Sequence, residues 1–217
     1  VVFGRHLQTV LDAWAGRALA GGDRLYPAAP QLLDRIWQAS FSVAGGERAG
    51  RAGDGLMLSR TQPRPHDNPS ATLAELQNPI IDAYLHALPA GRAPRILGSR
   101  SLFVADSRAE ALRLAEIGLN RGAERLIAAG HKVAGNSLAD LIAAFDVHVG
   151  SVDDVIESLS RDETLERVPD LVFQVHSVDP PHPLILRSIE LIATKVAPAL
   201  GWSPQEKFHA RRFGAVG

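Results

Sequence analysis

The sequence predicts an α/β protein with a parallel sheet and helices packed outside it. Three observations carry this. Apolar runs of strand length alternate with segments of helical period along most of the chain. The run LVFQV at 171–175 is nearly continuous in apolar character, as a strand covered on both faces would be. Helix-start signals recur after the apolar runs: Ser107 with Glu110, Ser137, and Ser151 with Asp154.

Residues 4–20 carry Leu7, Val10, Leu11 and Trp14 at helical spacing, and 23–30 is a connection rich in Pro and Ala. A short strand at 36–39 leads through a glycine turn into a short helix ending near 52. A second strand covers 55–59, and prolines 63, 65 and 69 make 61–70 a loop. Residues 73–88 read as a helix, with Pro79 threatening a kink. A longer strand spans 95–105, followed by helices from Ser107 to about 129, from Ser137 to about 145, and from Ser151 to about 159. The strand 171–175 and a terminal helix at 183–200 complete the pattern. That makes four strand–helix units. An open doubly wound sheet fits this number; a closed (β/α)₈ barrel needs about eight.

Composition excludes several classes. The chain has 217 residues, 46% hydrophobic and 22% charged, the balance of a globular domain. A net charge of -1 gives no electrostatic case for binding nucleic acid or an anionic membrane. There are no cysteines, which rules out disulfides, thiolate metal sites and a Cys nucleophile. No apolar run is long enough to span a bilayer and no signal peptide is visible, so the expected location is cytoplasmic. The chain opens on Val1, already inside helical sequence.

The stretch RIWQASFSVAGGERAGRAGDGLMLSR at 35–60 holds five glycines between two strand-like runs. A strand ending in Ser40 and Ser42, turning through Ala44-Gly45-Gly46 into a helix, has the order of an anion site. Free backbone N–H groups and the helix dipole face the ligand, and glycine lets a phosphate come close. Serine hydroxyls add donors, and Arg48 or Arg51 adds charge. The same small residues also fit close helix–sheet packing. The stretch matches neither a Walker loop nor a GxGxxG fingerprint.

The stretch resembles the strand-5-to-strand-6 segment of the bacterial luciferase-like, flavin-dependent monooxygenases, which reads roughly Q-A-[GS]-x-S-x-x-G, then a basic helix, then A-D-[GA]. Here it is Gln38-Ala39-Ser40-Phe41-Ser42-Val43-Ala44-Gly45, then Arg51, then Gly53-Asp54-Gly55. LFVADSRAEALRLAE at 102–116 is similar to the family's strand-7-to-helix region, and HVGSVDDVIESL at 148–159 to its G-[ST]-x-x-x-V segment. Residues 170–200 are similar to strand 8 and its helix in an FMN-dependent branch.

The resemblance implies the C-terminal portion, about strands 5–8, of a TIM (β/α)₈ barrel over 1–202, with 203–217 a basic, frayed tail. The part of the barrel before strand 5 has no counterpart, so a start in mid-barrel is expected. It implies an oxidoreductase, a monooxygenase that takes reduced FMN from a flavin reductase and uses O2 to oxidise a small organic substrate. The alternatives are deazaflavin F420 as cofactor, or a half-barrel without turnover that binds flavin phosphate or serves assembly. Cofactor contacts carry over to Gln38, Ser40, Ser42, Ala44 and Gly45; Phe41 replaces a serine of many relatives. The implied partners are a second copy in a homodimer or a complementing N-terminal half. The unprotected strands at 36–39 and 171–175 leave two open sheet edges, pointing the same way.

Other candidates keep two readings each. Arg60, in Ser59-Arg60-Thr61 directly after a strand, holds flavin or an acidic substrate, or is salt-bridged at the rim. His176 and His182 flank Asp179 and suggest a metal or general base, against plain loop histidines. His6, His86, His131 and His148 are expected at the surface, Asp106, Asp153 and Asp154 in turns and caps, and the three tryptophans as packing anchors.

Overall fold

The computed structural model describes residues 2–65, 67–133 and 135–202; the basic tail at 203–217 lies outside them. Five parallel strands form one sheet: β1 Trp37–Ser40, β2 Gly55–Leu58, β3 Ile96–Val104, β4 Val147–Gly150 and β5 Asp170–Gln174. The helices are α1 Val2–Trp14, α2 Val43–Ala52, α3 Leu73–Ala87, α4 Arg108–Ala128, α5 Leu138–Ala144, α6 Val152–Ser160 and α7 His182–Leu191. The chain continues from α7 through a π turn, Ile192–Val196, and a last turn, Ala197–Ala199. The sequence reading found four strands; β4 is the fifth.

The order is β1-β2-β3, with β3 shared further. Its first residues pair with β2, residues 97–101 pair with β5, and residues 101–104 pair with β4. Beyond the end of β5, the Val104 N–H donates to Ser188 Oγ of α7 at 3.0 Å, so this buried amide keeps an acceptor. Strand β5 departs from expectation. None of its residues is fully buried and Val172 is 48% exposed, so LVFQV is covered on one side only.

Alternation sends successive side chains to opposite faces. On the helix-facing side, Leu56, Leu58 and Ile96 pack with Ala49, Ile80, Ile81 and Tyr84 of α2 and α3. On the other side, Ala39 and Met57 are exposed and Leu97 is half-buried, so the face of β1, β2 and β5 stands open.

The glycine stretch folds as helix, correcting the expected turn. Ser42 is the N-cap and its Oγ accepts from the Gly45 N–H, so Gly45 and Gly46 already lie in α2. A Cβ on Gly46 or Gly50 would overlap the carbonyl oxygens of Ile80 or Tyr84. These two glycines therefore bring α2 against the backbone of α3. Gly53, at φ +70, closes α2 in the left-handed conformation that favours glycine. Tyr84 ties the layers together: its hydroxyl donates to Asp54 O at 2.9 Å and accepts from Arg95 N at 3.1 Å.

Serines cap the later helices as expected. Ser137 with Asp140 and Ser151 with Asp154 make full capping boxes, while Ser107 accepts from the Glu110 N–H. Helix α3 runs unbroken through Pro79. Helix α1 ends earlier than the expected 20 and buries no residue. Among the described residues no helix is long and apolar enough to cross a membrane.

Candidate functional site

The C-terminal ends of β1, β2, β3 and β5 point the same way, and the residues singled out in the sequence collect there or behind it. In open and closed parallel α/β sheets this end is where ligands bind. At β1, alternation separates the predicted residues. Gln38 and Ser40 share the side of Leu56 and Leu58, their register partners, and both are buried against the helices. Gln38 Nε2 donates to Asp54 Oδ2 at 2.8 Å, and Arg48 Nε donates to Gln38 Oε1 at 3.0 Å. Gln38 is thus a strut between β1, α2 and the start of β2, not a side chain on the open face.

Ser40 is similarly committed. Its Oγ donates to Ser42 O at 3.1 Å and accepts from Ser42 N at 3.2 Å, which locks the corner between β1 and α2. Gly45 makes room for this lock, since a Cβ there would overlap Ser40 Oγ. The Gly45 N–H is spent on Ser42 Oγ at 3.2 Å. What the corner offers outward is the Ser42 hydroxyl proton and the N–H groups of Val43 and Ala44. These residues are exposed, and the two amides meet no acceptor among the described residues. Gln62, buried, donates from Nε2 to Phe41 O at 3.0 Å and so pins the corner to the loop after β2.

Arg60 stands on the other side of β2. It is half-buried, and its Nη1 donates to Ser101 Oγ of β3 at 3.2 Å. Ser101 is in register with Gln174, whose amide lies 2.7 Å from His176 Nε2. Ser101 and Gln174 were not foreseen. Their signal was available in part: both lie at the period-2 positions that Leu97 and Val172 share, Ser101 fully buried and Gln174 half-buried, but only the β3–β5 register makes them neighbours. His182 opens α7 and Asp179 pairs with Arg121, so of the two readings of His176, Asp179 and His182 the converging set does not form. Among the described residues no three metal-ligating side chains converge.

A separate charged cleft of 640 Å³ opens on the helix-facing side between the start of α3 and β4 with α6. It adjoins the loop after β2, where Arg64 Nη1 donates to Gln62 O at 2.7 Å, and holds one close internal ion pair. Arg64 Nη2 meets Asp146 Oδ1 at 2.5 Å, and burial still holds the Asp146 carboxyl above its ordinary range. His148, expected at the surface, lies in β4 and is largely buried, with Nδ1 2.8 Å from Ser158 Oγ. Burial pulls its pKa down to about 4.

No family model matches the chain, and no curated protein matches it. Solved structures do. The monooxygenase RslO1 from Streptomyces bottropensis superposes with a TM-score of 0.61 at 21% identity, over 91% of this chain and 60% of that one. The oxygenating constituent of 3,6-diketocamphane monooxygenase from Pseudomonas putida, a type II Baeyer–Villiger monooxygenase in complex with FMN, gives 0.51 at 22% identity, over 76% and 48%. The coenzyme F420-dependent tetrahydromethanopterin reductase from Methanopyrus kandleri gives 0.53 at 13%, over 90% and 62%. The chain spans about half to three-fifths of the length of these proteins. Its fold is the α/β fold of the luciferase-like barrel enzymes.

Proposed function

We propose that the chain is the flavin-phosphate-binding part of a luciferase-like oxidoreductase, a monooxygenase that uses reduced FMN and O2 on a small organic substrate. The observation that carries this reading is the corner between β1 and α2. In this fold, at the C-terminal end of the strands, it presents one hydroxyl and two unspent amides at the positive end of a helix. That donor set suits a phosphate dianion. When bound, reduced FMN supplies the electrons and O2 the oxidant; a flavin reductase is the source of the reduced form. The protein's part at the phosphate is to donate from Ser42 Oγ and from the Val43 and Ala44 N–H groups. Ser40, Gly45 and Gln62 hold that corner rigid, and Gln38 fixes α2 against the sheet. Deazaflavin F420 also carries phosphate, and the fold likeness to the reductase keeps it as the alternative cofactor.

Ser42→Ala is expected to weaken FMN binding by about 1–3 kcal/mol, the range for a hydrogen bond to a charged group. Riboflavin, which has no phosphate, should bind both forms equally. Flavin fluorescence titrations, with a thermal melt to separate loss of the helix cap, check this. Equal FMN affinity in the two proteins rules the corner out as the phosphate site.

The open sheet face supports a second element of the proposal. Met57 is 37% and Val172 48% exposed, and apolar area left in water forgoes about 25 cal/mol per Å². Among the described residues the free edges of β1 and β5 pair with no strand. We therefore expect the chain to associate at micromolar concentration, with a second copy or with a complementing N-terminal half-barrel, and to turn over only when so completed. Sedimentation showing a cooperative, well-folded monomer contradicts this.

A further inference from the structure

Arg60 is a half-buried guanidinium whose one hydrogen-bond partner among the described residues is neutral. Among the described residues no carboxylate lies within ion-pair distance of it, whereas half-buried Arg64 and buried Arg100 each hold an aspartate. A single serine oxygen uses one of five N–H donors and does not offset the loss of hydration around a cation. The position is also specific. Arg60 leaves the end of β2, which lies between β1 and β3, and turns to β3, away from the corner where β1 enters α2. It therefore lies apart from the donors proposed for the flavin phosphate. Next to it are Ser101, which is fully buried, and its register partner Gln174, which is half-buried. Further back along the same side come Met57, Leu97 and Val172, an apolar floor.

From this arrangement we infer that Arg60, held in place by buried Ser101 and flanked by Gln174, binds the carboxylate of an organic acid whose apolar body lies on Met57, Leu97 and Val172. The substrate class of the proposed oxidoreductase is then an amphiphilic carboxylic acid. The inference rests on the reading that the strand ends are the substrate side. Arg60 supplies a planar fork that can take both carboxylate oxygens. The buried Ser101 hydroxyl accepts from Arg60 Nη1 and fixes the fork's direction, leaving its other N–H groups for the ligand. The Gln174 amide adds a neutral donor on the β5 side.

The probe is benzoate, with benzyl alcohol as its uncharged counterpart, titrated calorimetrically into the full chain and into Arg60→Gln and Arg60→Lys, each with and without saturating FMN. Benzoate is expected to bind the parent protein and to bind Arg60→Gln about 10–100-fold more weakly, the equivalent of a lost charged hydrogen-bond pair. Arg60→Lys should fall between them, and benzyl alcohol should not distinguish the three. FMN affinity should be the same in all three. Benzoate binding that is absent from the parent, or equal in parent and Arg60→Gln, overturns the inference. So does an FMN affinity that drops in Arg60→Gln while riboflavin's does not, because Arg60 then belongs to the flavin phosphate. If no form binds FMN yet benzoate still discriminates, the carboxylate site stands and the flavin reading fails. Arg60→Lys keeps the charge and gives the same comparison if the glutamine variant does not fold.

Discussion

Replacing Asp162 with alanine is expected to destabilise the fold by about 3–5 kcal/mol, the cost of leaving a buried charge without its partner. Arg100 is fully buried on the helix-facing side of β3. Its Nε and Nη2 donate to Asp162 at 2.5 and 3.2 Å, and Nη1 donates to Ser99 O at 2.8 Å. Asp162 also accepts from Thr164 N at 3.1 Å, so its loss frees a backbone donor as well. The double replacement Arg100→Met with Asp162→Leu should recover most of the loss, since well-packed apolar pairs often match buried ion pairs. Urea unfolding of the three proteins is the measurement, and a cost below about 1 kcal/mol for Asp162→Ala sinks the account. The same region sets an acid limit. Burial lowers the His148 pKa to about 4, opposed by the attraction of Asp162 and reinforced by Arg100. The unfolded imidazole titrates near 6.5. Stability from keeping His148 neutral is therefore fully present above about pH 6.5 and lost as pH falls toward 4.

Gly118→Ala is the second large effect, and its sign is diagnostic. In a helix interior this exchange ordinarily stabilises by about 0.5–1 kcal/mol. At Gly118 of α4, however, a Cβ would overlap the backbone carbonyl oxygen of Val178, in the connection between β5 and α7. Val178 is 1% exposed and packs with Phe103, Ala111, Leu114 and Ala115, so it has little room to retreat. We expect Gly118→Ala to cost about 1–3 kcal/mol, as overpacked cores do. Gly122, one turn on, is the internal control. Its Cβ would meet only the Phe145 ring at 3.4 Å, an ordinary contact, so Gly122→Ala should be neutral or stabilising. Equal effects at the two positions would remove close backbone approach as the reason for Gly118.

Local signals were legible in the sequence where local physics decides them. The serine caps at 107, 137 and 151 depend on a side chain and an amide three residues on, and all three formed. The parallel α/β class followed from alternation alone. What failed depended on contacts between distant segments. Val147–Gly150 is a strand only because β3 extends past β2 and offers it the same edge, so HVGS gave no strand signal by itself. Gly46 read as a turn residue because its reason, the backbone of α3 at Ile80, lies more than thirty positions away. The strand end at Gln38 and Ser40 was rightly found but its orientation was not: which face a residue takes needs the register with β2. Arg60 was singled out from its place after a strand, while Ser101, separated from it by 41 positions, was not.

The π turn at Ile192–Val196 has a consequence for tolerated changes in chain length. It holds one residue more than an α-helical turn, yet Leu191, Ile192 and Val196 all reach the cluster around Leu102, Val104 and Val155. Removing either Thr194 or Lys195 would let the ladder close as ordinary α-helix, with the flanking faces kept. The same deletion inside α7 would rotate everything after it by about 100° and turn Val196 away from the cluster. This short segment is thus a place where the molecule can lose a codon and keep its core.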